Sequence, residues 1–242
     1  MDFFFALIGL FMLSPILIPT IFLVWIQDWN SPFYIAPRVG KNEKPFKMVK
    51  LRSMILNADK SGVDSTSSND SRITRIGGLI RKYKLDELSQ LYNVLIGDMS
   101  LVGPRPNVKR ETDLYTSQEK KLLSVKPGIT DFSSIVFSDE GDILKDKADP
   151  DIAYNQLIRP GKSMLGLFYI EKINFFIDIQ IIFLTLISIA SKEWALIGVT
   201  KILRNLNAEE NLIDIASRKK ELVPIPPPGS INIVNNRDGK VD

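Results

Sequence analysis

The sequence predicts a mostly helical α+β protein: an N-terminal membrane helix, a small cytoplasmic domain with short strands, and amphipathic helices at the membrane interface. Three observations predict it. A charge-free apolar run extends from Phe3 to Ile26. Apolar residues recur at helical spacing between Ile76 and Leu95. Short extended stretches adjoin the turn signals at Gly40 and Pro127-Gly128. The 242 residues divide accordingly into an anchor (1–30), a main domain (31–204) and a weakly ordered tail (205–242).

Composition narrows the chemistry. With 45% hydrophobic residues the chain can bury one sizeable core, and 31 Lys plus Arg against 28 Asp plus Glu leave a net charge of only +3. That balance is too mild for a nucleic-acid partner. The chain has no Cys and no His, which excludes thiolate nucleophiles, disulfides, Cys-based zinc sites and imidazole triads. Carboxylates, hydroxyls, Lys, Arg, backbone amides and a hard, oxygen-liganded cation remain, and phosphate chemistry suits that set.

The first segment, FFFALIGLFMLSPILIPTIFLVWI, is long enough to cross a hydrocarbon core of ~30 Å. Pro15 and Pro19 lack amide donors, and the Ser14 hydroxyl can take a freed carbonyl, so a kink is predicted at Ser14-Pro15. Each arm of about twelve residues, roughly 18 Å, is too short to span alone. A bent spanning helix and a re-entrant hairpin both satisfy these constraints. Arg38, Lys41, Lys44, Lys47, Lys50 and Arg52 follow the run and Asp2 precedes it, which puts the main domain on the cytoplasmic side. A cleaved signal peptide would need a basic start and a small-residue cleavage site, and neither is visible.

Residues 31–54 predict a hairpin turning at Gly40-Lys41-Asn42, and the polar stretch 57–72 a loop. Ile76, Leu79 and Ile80, then Leu85, Leu88, Leu91, Tyr92 and Leu95, predict two helices, with Gly97 as the stop of the second. Residues 107–123 predict another helix and 125–137 an extended segment. In 165–190, Asn174, Asp178, Thr185 and Ser188 fall near one stripe of an otherwise apolar helix, the pattern of an interfacial helix with its polar side toward the protein; a second transmembrane helix is the alternative.

The chemistry-bearing stretch is RITRIGGLIRKYKLDELSQLYNVLIGDMSLVGPRP. Asp86 and Glu87 stand at a helix start, preceded by Arg81, Lys82 and Lys84. Acids there offset the helix dipole without any catalytic purpose, and that is their simpler explanation. The functional one is that one carboxylate attacks phosphorus while its neighbour helps hold a divalent cation. Asp86, Gln90 and Asn93 share a face opposite the leucines, which would project the acid into a polar cleft. Arg105, stiffened between Pro104 and Pro106, is either a phosphate clamp or a surface ion pair. Gly77-Gly78 could form an amide nest for phosphate or a close packing contact. Lys50 and Arg52 could face the same cleft or solvent.

These pieces together resemble the bacterial sugar transferases, the monotopic polyprenyl-phosphate phosphoglycosyl transferases. The matching segments are the apolar start with Ser14-Pro15, then PRVGK, KLRSM, RITRIGGLIRK, LDELSQLYNVLIGDMSLVGPRP, KPGIT and FYIEKINFFIDI, in family order over roughly residues 3 to 190. The resemblance implies transfer of a phosphosugar from a UDP-sugar to polyprenyl (undecaprenyl) phosphate, with release of UMP, on the cytoplasmic face of the bacterial inner membrane. It implies that Asp86 is the nucleophile, that Glu87 with Asp86 serves Mg²⁺, and that Arg81 and Arg105 meet substrate phosphates, with Lys50 and Arg52 beside them. It further implies a re-entrant anchor broken at Ser14-Pro15 and a role for Asp178 in the late helix, and it leaves room for a homo-oligomer. The chain departs from the family pattern at Ser89, where many members have proline, and at Asp131-Phe132-Ser133-Ser134, which replaces Gly-Trp-Ala-Gln and bears on sugar recognition.

Two other functions compete. A metal-dependent glycosyltransferase releasing UDP could use Asp149-Pro150-Asp151 as its acid pair, although SDEGDILKDKADPD reads more simply as a solvated loop. A noncatalytic scaffold for glycan assembly would not need the dyad at all.

Overall fold

The computed structural model describes residues 2–58, 66–67 and 69–236; much of the loop expected at 57–72 lies outside the described residues. The chain starts with α1 (Asp2–Ile26) and the antiparallel hairpin β1 (Phe33–Val39) and β2 (Pro45–Leu51). The hairpin turns where the sequence predicts, with Asn42 at a left-handed φ of 54°. Then come α2 (Arg75–Lys82), a 3₁₀ segment (Leu85–Gln90) leading into α3 (Leu91–Leu95), β3 (Ser100–Val102), α4 (Lys109–Thr112), a second 3₁₀ segment (Glu119–Ser124) and β4 (Gly128–Thr130), parallel to β3. Seven helices follow: α5 (Phe132–Val136), α6 (Glu140–Ile143), α7 (Pro150–Leu157), α8 (Arg159–Lys172), α9 (Phe175–Ala190), α10 (Lys192–Asn205) and α11 (Glu210–Ser217).

The prolines of α1 do not interrupt it. Pro15 cannot bond the Phe11 carbonyl, and the Ser14 hydroxyl donates to that oxygen instead at 2.7 Å. One stripe of α1 lies on the domain along both arms: Ala6, Leu10 and Leu13 against Met48, Leu91 and Val94, then Leu17, Ile21 and Val24 against Leu51 and Ile80. The opposite face is bare, with Phe11 80% exposed. α9 has 16 residues, fewer than a spanning helix needs. Its polar side turns inward, the Thr185 hydroxyl meeting that of Thr130 at 2.7 Å, while Phe176, Phe183 and Leu186 face out.

Three expectations fail for local reasons. The helix expected over 107–123 breaks because Thr116 and Glu119 form a capping box: the Glu119 amide donates to the Thr116 hydroxyl at 3.1 Å and the Thr116 amide to the Glu119 carboxylate at 3.0 Å, which starts a new helical segment. The extended reading of 125–137 ends at Thr130, because Asp131 caps α5 by accepting from the Ser134 amide at 2.7 Å. The described part of the tail beyond 204 packs on the domain. Leu212, Ile213 and Ala216 of α11 join the main core of α5, α8, α9 and α10, and Gln156 donates to the Val234 carbonyl at 2.7 Å.

Candidate active site

The dyad sits on the short 3₁₀ segment, not on the regular helix that the leucine spacing predicts. Two residues past the end of α2, Lys84 adopts a left-handed conformation, φ 54°, and turns the chain so that Asp86 and Glu87 occupy the next turn. The segment is sewn to β2. The Ser89 hydroxyl donates to the Val49 carbonyl at 3.1 Å, the Val49 amide to the Asn93 side-chain oxygen at 2.9 Å, and the Asn93 amide group to the Lys47 carbonyl at 2.7 Å. Gln90 and Asn93 are therefore buried, not part of a polar cleft wall as their shared face suggested.

β2 also delivers Lys50, whose Nζ lies 3.3 Å from Asp86 Oδ2. Arg105 reaches Glu87 Oε1 at 2.7 Å. Burial alone would raise the Glu87 carboxyl, but Arg105, Lys50 and Lys84 outweigh it and hold it at about 2. The same pairing raises the Arg105 guanidinium further above its ordinary value, with burial opposing.

Arg105 owes its position to two crossing loops. The Ser100 amide donates to the Pro127 carbonyl at 2.8 Å, the Gly103 amide to that of Thr130 at 2.9 Å, and the Gly128 amide to that of Pro104 at 3.0 Å. A Cβ on Gly128 would lie 2.1 Å from the Gly103 nitrogen, so the loops cross this closely only at a pair of glycines. The GPRP and KPGIT segments are thus two halves of one clamp.

Lys50, Arg81, Lys84, Asp86, Glu87 and Arg105 line a single cleft of about 900 Å³. Its far wall carries Glu140, which pairs with Lys162, and Ser134, whose carbonyl is 3.4 Å from Lys84 Nζ. Burial raises the Glu140 carboxyl, but Lys162, Arg105 and Arg81 bring it below its ordinary value.

Other candidates fall elsewhere. Arg52 borders the cleft, but its guanidinium is taken by Asp28 at 2.5 and 2.6 Å and by the Ser31 carbonyl at 2.9 Å, so it ties the end of the anchor to β2. Ser14 and Pro15 lie within α1, outside the cleft lining. Asp178 accepts from the Tyr169 hydroxyl at 2.8 Å and joins α8 to α9, also outside the cleft lining. The Gly77 amide is spent on capping, accepted by the Thr74 hydroxyl at 2.9 Å, and a Cβ there would lie 1.8 Å from the Ser53 carbonyl oxygen. Packing, not an amide nest, explains Gly77. Asp149 caps α7, accepting from the amides of Asp151 and Ile152 at 3.0 and 3.2 Å; helix capping accounts for its place beside Pro150. The acidic stretch read as a solvated loop instead holds the domain together, since Asp139 pairs with Arg218 at 3.1 Å and with Lys192.

Asp86 and Glu87 fit Mg²⁺, which takes one or two carboxylates and completes its shell with water and substrate phosphate. Among the described residues no group of three acids that could hold a metal exists, so any cation here depends on the substrate for ligands. Sequence reading missed Glu140 and Lys162, which lie 22 positions apart with no spacing signal. It saw Lys84 only as part of a basic run.

Comparison of the sequence with known proteins places this carboxylate and its cation-lined cleft in a family. The model of the family described as bacterial sugar transferase matches residues 1–192. A Bacillus subtilis protein provisionally named an undecaprenyl-phosphate N-acetylgalactosaminyl 1-phosphate transferase is 45% identical over 130 residues, 54% of this chain and 69% of that protein. The Aeromonas hydrophila UDP-N-acetylgalactosamine-undecaprenyl-phosphate N-acetylgalactosaminephosphotransferase is 30% identical over 191 residues, 77% of this chain and 42% of the relative. An Erwinia amylovora UDP-galactose-lipid carrier transferase is 40% identical over 134 residues, 49% of this chain and 28% of its own length. The match runs unbroken from the anchor through the dyad, the glycine clamp and α9, and on that footing the chain belongs to the bacterial sugar transferase family.

Proposed function

We propose that the chain transfers a phosphosugar from a UDP-sugar to polyprenyl phosphate, as the first membrane step of surface-glycan synthesis. The observation that carries this reading is the Asp86 carboxylate in the cleft, 3.3 Å from Lys50 and next to the Glu87–Arg105 pair. An Asp86 oxygen attacks the β-phosphorus of the donor. An aspartyl–phosphorus bond forms, the bond from that phosphorus to the bridging oxygen breaks, and UMP leaves with the bond's electrons. A phosphate oxygen of the lipid then attacks the same phosphorus, releasing Asp86 and forming the polyprenyl diphosphosugar. Both substrates and the nucleophile are anionic, so Lys50, Arg81 and Arg105 offset repulsion and stabilise charge gathering on phosphoryl oxygens. Mg²⁺, held by Glu87 and Asp86 together with substrate phosphates, would supply further positive charge.

The family names of relatives that use UDP-N-acetylgalactosamine or UDP-galactose support the donor class. The re-entrant anchor of the family would enter and leave by the cytoplasmic face; here α1 is one continuous helix, and its contact with the domain along its length supports the shallow insertion that such an anchor requires, not the reversal itself. The domain then lies on the cytoplasmic side of the inner membrane, with the bare faces of α1 and α9 toward lipid.

The purified protein in detergent, given sugar-labelled UDP-N-acetylgalactosamine or UDP-galactose and undecaprenyl phosphate, should release UMP and not UDP. Without lipid it should carry label on Asp86. Asp86→Asn should fold normally, take no label and lose at least about 10³-fold in turnover. Undiminished turnover in Asp86→Asn would refute the nucleophile assignment, and release of UDP would refute phosphosugar transfer.

A further inference from the structure

The cleft holds a cation that the dyad's ion pairs do not account for. Lys84 lies two residues before Asp86 and adopts φ 54°, ψ 28°. An L-residue holds that left-handed conformation less readily than glycine does, and this one stands in the lining of the cleft. Its ammonium carries three donors, yet its protein contact is the Ser134 carbonyl at 3.4 Å, beyond the usual N–H···O range of about 2.7–3.2 Å. The neighbouring carboxylates make their close ion pairs with other residues, Asp86 with Lys50 at 3.3 Å and Glu87 with Arg105 at 2.7 Å, and meet Lys84 only through longer-range attraction. Ser134 is fixed in turn, because its amide and hydroxyl both donate to Asp131 at 2.7 Å. Among the described residues the lysine therefore rests on a rigid wall with one long hydrogen-bond contact, at the start of the short turn that carries Asp86.

We propose that Lys84 binds the β-phosphate of the nucleotide donor, the phosphate that Asp86 attacks. The assignment rests on the donor reading above and adds to it the residue that grips the transferred phosphoryl group. Placement points to the β-phosphate: Lys84 lines the same cleft as Asp86 and lies near enough to the dyad for both acids to act on its ammonium. The Ser134 carbonyl is a neutral acceptor, and exchange for a phosphate oxygen turns a long contact into a charge-assisted one.

UDP and UMP serve as probes, since they differ by the β-phosphate and need no knowledge of the sugar. Binding of each to the full chain in detergent micelles with Mg²⁺ present is measured by calorimetry. Lys84→Met should weaken UDP by roughly 10- to 100-fold and UMP by less than about threefold, collapsing the UDP-to-UMP preference, and Lys84→Arg should restore most of that preference. Lys84→Gly, which relieves the left-handed strain, should raise the melting temperature yet lose UDP as the Met variant does. Equal weakening of UDP and UMP, or UDP binding by Lys84→Met as tight as wild type, overturns the assignment, as does failure of the wild type to bind UDP. Lys84-dependent UDP binding without UMP release from UDP-sugars would instead overturn the transfer reading and leave Lys84 as a diphosphate ligand.

Discussion

Replacing Glu87 by glutamine tests how the site stores its charge. The Glu87 carboxyl is held at about 2, against 4.5 in an unstructured chain. That difference contributes roughly 3 kcal/mol to folding at neutral pH. The side chain is only 16% exposed, so solvent screens the interaction weakly. Because the folded-state value lies below the unfolded one, the contribution is complete well above pH 4.5 and is lost as the pH falls toward 2, with about half gone by pH 3. Urea unfolding in detergent micelles, followed by circular dichroism in EDTA, should show wild type exceeding Glu87→Gln by roughly 3 kcal/mol at pH 7. Other acids titrate in both proteins, so the difference between them isolates this carboxylate. The gap should narrow steadily below pH 4.5. A gap equal at pH 7 and pH 3 would mean that shape, not charge, makes Glu87 matter, and the electrostatic account of the site would fail.

Two further perturbations test the frame around the site. A Cβ at Gly77 would lie 1.8 Å from the Ser53 carbonyl oxygen, whereas one at Gly78 meets nothing within 4 Å. Gly77→Ala should therefore cost about 1–3 kcal/mol or more while Gly78→Ala gains about 0.5–1 kcal/mol, read from the same urea transitions; equal effects would refute the packing explanation. Glu119 is fully buried and accepts from Arg159 at 2.6 and 3.1 Å and from Ser163 at 2.7 Å. Glu119→Ala should lower stability by about 3–5 kcal/mol, and Glu119→Leu combined with Arg159→Met should recover much of it, because an unpaired buried guanidinium costs more than an apolar contact.

The parts of this protein that local pattern specifies were legible in its sequence. The hairpin at Asn42, the inward polar stripe of α9 and the family motif around Asp86 all follow from periodicity, turn chemistry or resemblance. The parts that failed depend on side chains choosing backbone partners. Thr116 with Glu119, and Asp131 with Ser134, set helix starts that apolar spacing does not report. Arg52 looked like any basic residue near the cleft until Asp28, at the end of the anchor, proved to be its partner. Glu140 and Lys162 meet only because α6 and α8 fold against each other. Ion pairs distant in sequence leave no periodic trace, and the charged part of the cleft wall is built largely from them.

With Asp86 in the proposed role of nucleophile, its placement ties the reacting group directly to α1. Asp86 is carried by a turn whose following helix, α3, presents Leu91 and Val94 to α1, and whose hydroxyl and amide groups grip β2. β2 brings Lys50 to the carboxylate and Arg52 to Asp28 at the end of α1. The packed routes from Asp86 to α1, through α3 and through β2, are thus each only a few residues long. A lipid phosphate cannot rise far from the interface without dragging its hydrocarbon tail into water, at ~0.8 kcal/mol per exposed methylene. On the proposed reaction, the Asp86 carboxylate would have to stand at a fixed height above the apolar face. Short, doubly tethered connections supply that height directly, whereas a domain on a loose tether would have to recover it anew for each lipid it met.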